Sequence, residues 1–218
     1  MIGDDEVVRL TARHLGDHWA ATCWMLFRSE LSGRPVCLER TGFATEGGTW
    51  EVEPLVKRII ALLDSNGAIE FTDKLGKLHI DYHQMWRHSL PTRRHWVSGG
   101  NVCLQLTGNW KGEEKNTPPR QAADLRRGLH DLGFEIVELG LPMTIEDGVA
   151  NLASCRFFIG IDSGYMHAAH SVGCPRFLIR NKMPWIDAVH GGRNWIGCSD
   201  ANECLDLIRR KRLPFAGM

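Results

Sequence analysis

Asp162, Ser163, Gly164 and His167 fall together in the stretch FFIGIDSGYMHAAHSVGCP. The apolar run before them suits a buried strand, and the small-residue run after them suits a helix. An acid, a hydroxyl, a glycine and an imidazole at such a junction can hold an anion. The first turn of a helix carries backbone N–H groups without intrahelical partners, and the helix dipole adds to their pull. Gly164 has no Cβ to keep a phosphate away. His167 lies one turn on, on the same face as Gly164, in reach of a phosphate or a sugar hydroxyl. Ser163 can cap the helix or touch the same anion. The plain alternative is a strand-to-helix turn with a serine cap and an ordinary histidine.

A second stretch, TGNWKGEEKNTPP, follows another apolar run, VCLQLTG. It carries Thr107, Lys111 and Lys115 ahead of Pro118, a residue suited to a helix start. A lysine there can neutralise a diphosphate as a point charge. Glu113 and Glu114 beside the lysines allow a solvated charged loop instead. Both stretches sit at the carboxyl ends of strands, where open parallel sheets bind ligands. Together they favour a nucleotide diphosphate site.

The elements that must position these residues can be read from periodicity. From Val102 on, strands and helices alternate about five times: VCLQLTG, then RQAADLRRGLHDLG; EIVELG, then TIEDGVANLASC; RFFIGID, then SGYMHAAHSVG; RFLIR; and a short strand at Asn194–Cys198 before ANECLDLIRRKR. Such alternation calls for a parallel sheet with helices on both faces. Thr144 and Asp147 make a capping-box-like helix start. The first half repeats the scheme more briefly, with strands at VVRLTARH, PVCLER and AIEFTD and helices at HWAATCWMLFRSEL and EPLVKRIIALLDSNG. The segment KLGKLHIDYHQMWRHSLPTRRHWVSGG has no clear period. Two βαβ units joined near residues 90–100 fit this pattern, with domains at 1–97 and 98–218.

The 218 residues suffice for one large α/β domain or two small ones, and 43% are hydrophobic. Lys and Arg number 26, as do Asp and Glu, so the formal net charge is zero. There is no bulk charge to favour nucleic acid or an anionic membrane. Seven cysteines, an odd number without a CxxC, read as reduced, packed thiols in a cytoplasmic protein. No signal-peptide pattern and no spanning apolar run is expected.

The two stretches resemble the heptosyltransferase-type glycosyltransferases, the family of the ADP-heptose:lipopolysaccharide heptosyltransferases. The likeness is carried by FIGIDSGYMHAAHSVGCP and by LQLTGNWKGEEKNTPPRQAADLRRGLHDLGFEIVELG, in which Lys115 precedes Pro118 by three residues. A weaker match is HLGDHWAA. The resemblance implies a GT-B-like α/β fold: two Rossmann-like parallel-sheet domains facing a cleft, here with a reduced N-terminal acceptor-side domain. It implies metal-independent transfer, with inversion, of a sugar from a nucleotide-diphosphate donor to a hydroxyl acceptor. No cofactor is implied beyond the nucleotide sugar. Asp17 matches the catalytic base, and the plain alternative is that it caps the helix that follows. Thr107, Lys115, Asp162, Ser163, Gly164 and His167 match the donor site. This chain departs from the pattern at Thr117, where tryptophan is frequent, at Tyr165, where proline is usual, and in RNKMPWIDAVHGG.

Other constellations carry less. His79 and His83 would share a helical face as a metal pair, but an exposed linker explains them as well. Trp110 and Trp185 fall in loops suited to ligand contact, whereas Trp24 suits the core. Arg93, Arg94 and His95 form a basic cluster, and RRKRLP a basic helix end with at most peripheral membrane contact. Two rival functions remain at this stage: an epimerase or hydrolase of the same architecture, and a nucleotide-sugar-binding scaffold without catalysis.

Overall fold

The computed structural model describes residues 7–10, 15–44, 48–63, 67–74, 76, 78–80, 96–108, 114–140, 142–183 and 194–214. The chain divides into two compact units, Met1–Pro91 and Thr92–Met218.

The first unit contains β1 (Val8–Leu10), α1 (Leu15–Ser32), β2 (Val36–Glu39), β3 (Thr41–Ala44), β4 (Gly48–Glu51), α2 (Glu53–Leu62), β5 (Ile69–Thr72) and β6 (Leu78–Ile80). Trp19, Cys23 and Leu26 recur at helical spacing in α1 and are all buried. The helix stops where Gly33 takes a left-handed φ of 68° and its N–H bonds back to Ser29 O. Val56, Ile59 and Ile60 bury one face of α2. Four strands pair in parallel in the order β5-β2-β1-β6. The chain starts at β1, runs outward through β2 and β5, and returns to the other side of β1. That is the order of half a Rossmann fold, with its reversal between β1 and β6. The hairpin β3–β4 and strand β6 lie outside the elements legible from periodicity. His79 falls in β6, and His83 lies outside the described residues.

Glu39 ends β2 and is buried. It accepts from Gly76 N–H at 2.8 Å and from Thr41 Oγ1 at 3.0 Å, and its Oε2 lies 3.2 Å from Arg9 Nε. Gly76 has to be glycine, because a Cβ there would stand 2.8 Å from Arg9 Cβ. Trp24 is half-buried, not a core residue as its helix suggested, and Arg28 lies over its ring at 5.6 Å.

The second unit contains β7 (Asn101–Gln105), α3 (Pro119–Asp131), β8 (Glu135–Glu138), α4 (Ile145–Ser154), β9 (Phe157–Gly160), α5 (Gly164–Ser171), β10 (Arg176–Ile179), β11 (Trp195–Cys198) and α6 (Ala201–Arg209). Five parallel strands pair in the order β11-β10-β9-β7-β8. Alternating strand positions divide the core. Val102, Leu104, Phe157, Ile159 and Phe177 join Leu125, Leu129, Leu205 and Ile208 from α3 and α6 on one face. Cys103, Phe158 and Leu178, also fully buried, belong to the other face, the side of α4 and α5. Each such side chain contributes about 1.5–3 kcal/mol of burial. Thr144 caps α4 by accepting from Asp147 N–H at 3.1 Å. Trp96 Nε1 donates to Cys155 O at 2.7 Å, and Val97 N–H to Ala153 O at 2.9 Å, so residues 96–97 are tied to the foot of this unit.

All seven cysteines are free and six of them are buried. Cys155 Sγ lies 3.4 Å from Cys174 Sγ, and burial pushes the Cys174 thiol well above its ordinary value. Among the described residues no helix is long and apolar enough to cross a membrane.

Candidate functional site

The second sheet reverses direction between β7 and β9. From β7 the chain steps to β8 on one side, then crosses to β9 on the other. At such a reversal the connections leave on opposite faces and open a crevice at the carboxyl edge. The ladder here ends with Ile161 N–H donating to Gln105 O at 3.1 Å. Beyond that bond the two chains part, one into Leu106–Gly108 and the other into Asp162–Gly164.

Ser163 bridges the gap. Its hydroxyl donates to Gln105 Oε1 and accepts from Met166 N–H at 3.4 Å as the N-cap of α5. One side chain thus fixes the start of the helix and ties it to the neighbouring strand. Gly164 opens α5 and is half-buried. The helix-cap reading of Ser163 therefore holds, and it does so at the edge of the crevice where an anion reading would place the residue.

Asp162 is buried, with 5% of its side chain exposed. Its Oδ2 pairs with Lys115 Nζ, and its Oδ1 lies 3.9 Å from His167 Nε2. Lys115 and Asp162 are 47 positions apart in the chain, so only the fold brings them together. The Lys115 loop is braced from several sides. Thr117 N–H donates to Leu106 O at 2.9 Å, Gly108 N–H to Asn116 Oδ1 at 2.8 Å, and Asn181 Nδ2 to Lys115 O at 2.6 Å. A shallow hollow, too small as the side chains stand to admit a water molecule, lies beside the pair and is lined by Lys115, Asp162, Ile179, Arg180 and Met183. A ligand could enter only after side chains move, unlike the ~300–1,000 Å³ of a preformed small-molecule site. Lys115 lies across it, onto Asp162.

Lys115, Asp162, Ser163, Gly164 and His167 thus converge on one edge of one sheet. Thr107 lies on the loop after β7 and is exposed. Asp17 belongs to the other unit: it is in the first turn of α1, the helix that follows β1, and its side chain is outside the described set. Lys111, Trp110, Trp185, His83, Arg93, Arg94 and His95 also fall outside the described residues. Gln105, Asn116, Asn181, Arg180 and Met183 were missed from the sequence. A signal existed for two of them. Gln105 is an amide in an otherwise apolar run, and Asn181 is an asparagine just past an apolar run, the residue type that tolerates the left-handed φ of 49° it takes here. Among the described residues no group of three His, Cys, Asp or Glu side chains could hold a metal ion.

No protein-family model matches the sequence, and no curated protein is similar to it in sequence. Solved structures are similar in fold. The E. coli heptosyltransferase WaaC with ADP aligns with a TM-score of 0.55 at 12% identity, over 94% of this chain and 99% of that one. WaaC with ADP-2-deoxy-2-fluoro heptose aligns over the same shares at 0.53 and 13%. TibC, described as an iron-containing dodecameric glycosyltransferase from enterotoxigenic E. coli, aligns at 0.51 and 14%, over 82% of this chain and 61% of its own. At such identities the likeness is one of fold. It agrees with the α/β, GT-B-like expectation of two parallel-sheet units.

Proposed function

We propose that this protein is a glycosyltransferase that moves a sugar, with inversion, from a nucleotide-diphosphate donor to a hydroxyl acceptor. The observation that carries the reading is the Lys115–Asp162–His167 group at the topological reversal of the second sheet, beside the start of α5. Neighbours of the same fold were solved with ADP and an ADP-sugar, which supports a nucleoside diphosphate as the ligand of this edge.

The chemistry follows from charge. As the acceptor oxygen bonds to the anomeric carbon, the bond from that carbon to the phosphate oxygen breaks. The electron pair leaves with the diphosphate. Positive groups placed where that charge gathers lower the barrier. Lys115 supplies one by exchanging the Asp162 carboxylate for a phosphate, and the N–H groups at Gly164 supply partial charge without the need for a metal. With Lys115 turned away, Asp162 and His167 face the sugar hydroxyls, and Thr107 reaches the ligand from the β7 loop. Asp17 takes the proton of the acceptor hydroxyl.

Calorimetric titration with a panel of nucleoside diphosphates and nucleotide sugars tests this reading, with wild type run beside Lys115→Ala and His167→Ala. Saturable binding of one nucleotide, weakened in both variants, is the expected result. No binding at millimolar concentration to a folded wild type would sink it. Turnover of the bound sugar nucleotide that disappears in Asp17→Asn, with donor affinity retained, then separates transfer from mere binding.

A further inference from the structure

The hollow beside Asp162 holds a second cation that the sequence motifs did not single out. Arg180 follows directly on β10 and lines the same space as Lys115. Several features fix its position. Its own N–H donates to Cys198 O at 2.9 Å, and its carbonyl accepts from Met183 N–H at 2.9 Å. The next residue, Asn181, bonds Lys115 O at 2.6 Å, so the loops carrying the two cations are stapled together.

The guanidinium lies against β11 at Gly197. A Cβ on Gly197 would stand 2.3 Å from one guanidinium nitrogen of Arg180 and 2.9 Å from its central carbon. Gly197 pairs with Leu178 in the ladder, so the backbone there cannot give way. The glycine is a cradle along which the long side chain runs. The acids facing these cations are Asp162, paired with Lys115, and Glu203 of α6. Glu203 is held below its ordinary value chiefly by accepting from Ser199 N–H and its hydroxyl, and to a smaller extent by Arg180. Lys182 beside the hollow is exposed. The two cations are matched by these two carboxylates, and the start of α5 adds partial positive charge at the hollow.

We propose that Arg180, seated in the Gly197 cradle, is the second arm of a two-cation clamp with Lys115 that reads a diphosphate group in preference to a monophosphate. The inference rests on the donor-site reading above and names the residue that sets its phosphate specificity. A planar guanidinium can bond two oxygens at once, and a lysine acts as a point charge. A diphosphate engages both arms, and a single phosphate satisfies one of them.

The test is a set of affinities for wild type, Arg180→Gln, Arg180→Lys and Gly197→Ala. The probes are nucleoside diphosphates, the matching monophosphates, and inorganic pyrophosphate against inorganic phosphate. Arg180→Gln is expected to lower diphosphate and pyrophosphate affinity about tenfold to a hundredfold, the worth of a charge-assisted hydrogen bond. Monophosphate affinity should fall less than threefold, so the preference collapses. Arg180→Lys should recover part of it. Gly197→Ala keeps the charge but displaces it, and should lose the preference too; it also decides the matter if Arg180→Gln melts early. Unchanged diphosphate preference in Arg180→Gln and Gly197→Ala, with wild type binding, overturns the clamp and leaves the donor site standing. Failure of wild type to bind any diphosphate or pyrophosphate overturns both.

Discussion

Each unit of the molecule has a buried acid at the carboxyl edge of a parallel sheet, and each acid is paired with a cation. Glu39 sits at the end of β2 with Arg9, and Asp162 just past β9 with Lys115. Both side chains are 5% exposed. Their other partners differ. Glu39 takes a backbone N–H from Gly76 and the hydroxyl of Thr41 two residues away, so its shell is built from groups that cannot leave. Asp162 is met by Lys115 and His167, on long or rotatable side chains, and a hollow lies beside it. A buried carboxylate tied to backbone closes a fold. A buried carboxylate paired with a rotatable lysine can trade that partner for a ligand. Burial and charge alone do not separate the two cases. The identity and mobility of the partners do.

The sharpest way to break this contrast is Glu39→Ala. It takes the carboxylate away from the Arg9 guanidinium and the Gly76 N–H, and should cost about 3–5 kcal/mol in chemical denaturation. A loss below about 1 kcal/mol would mean that Glu39 is no structural lock. Lys115→Ala should show the opposite profile. Its cost in stability is expected to be smaller than that of Glu39→Ala, because the Asp162 carboxylate borders the hollow and can take up water. Its cost in nucleoside diphosphate affinity should reach about tenfold to a hundredfold. Equal destabilisation by the two variants, with nucleotide affinity intact, would put Asp162 in the same class as Glu39.

A smaller effect is expected at Ser163. Replacement by alanine removes the cap of α5 and the tie to Gln105, at about 1 kcal/mol. Ser163→Thr should restore most of it, and thermal melting of the three proteins checks the order. The least disturbing comparison uses thiols. Cys37, in β2 of the first unit, is half-buried, and the five cysteines of the second unit are buried. A small maleimide should label about one thiol quickly in the native protein and the remainder only on unfolding. Cys37→Ser should abolish the fast phase, and fast labelling of Cys155 or Cys174 instead would show that the foot of the second sheet opens readily.

Much of the second unit was legible because its signals are local. Every strand of its sheet except β10 is a short run with apolar residues followed by a helical period, and Thr144 and Gly133 mark a start and a stop that the structure keeps. The first unit was harder. The hairpin β3–β4 is built from Thr41–Ala44 and Gly48–Glu51, where neither face carries a run of apolar residues. Strand β6 has only three residues, and its place beside β1 comes from pairing across the sheet. Such pairing depends on partners distant in sequence, which no local period records.

The same division runs through the candidate site. Sequence alone determined that Asp162-Ser163-Gly164 turns a strand into a helix, since a hydroxyl cap and a glycine beside an apolar run act within one turn of chain. It also placed Lys115 on a loop at a strand end. Only the tertiary structure decided that Lys115 meets Asp162, that Gln105 holds Ser163 across the reversal of the sheet, and that Arg180 lines the same hollow while its guanidinium lies against Gly197. The physical reason is strand order. Neighbours in this sheet, β7 and β9, are separated in the chain by a strand and two helices, and the crevice exists only because the order reverses between them.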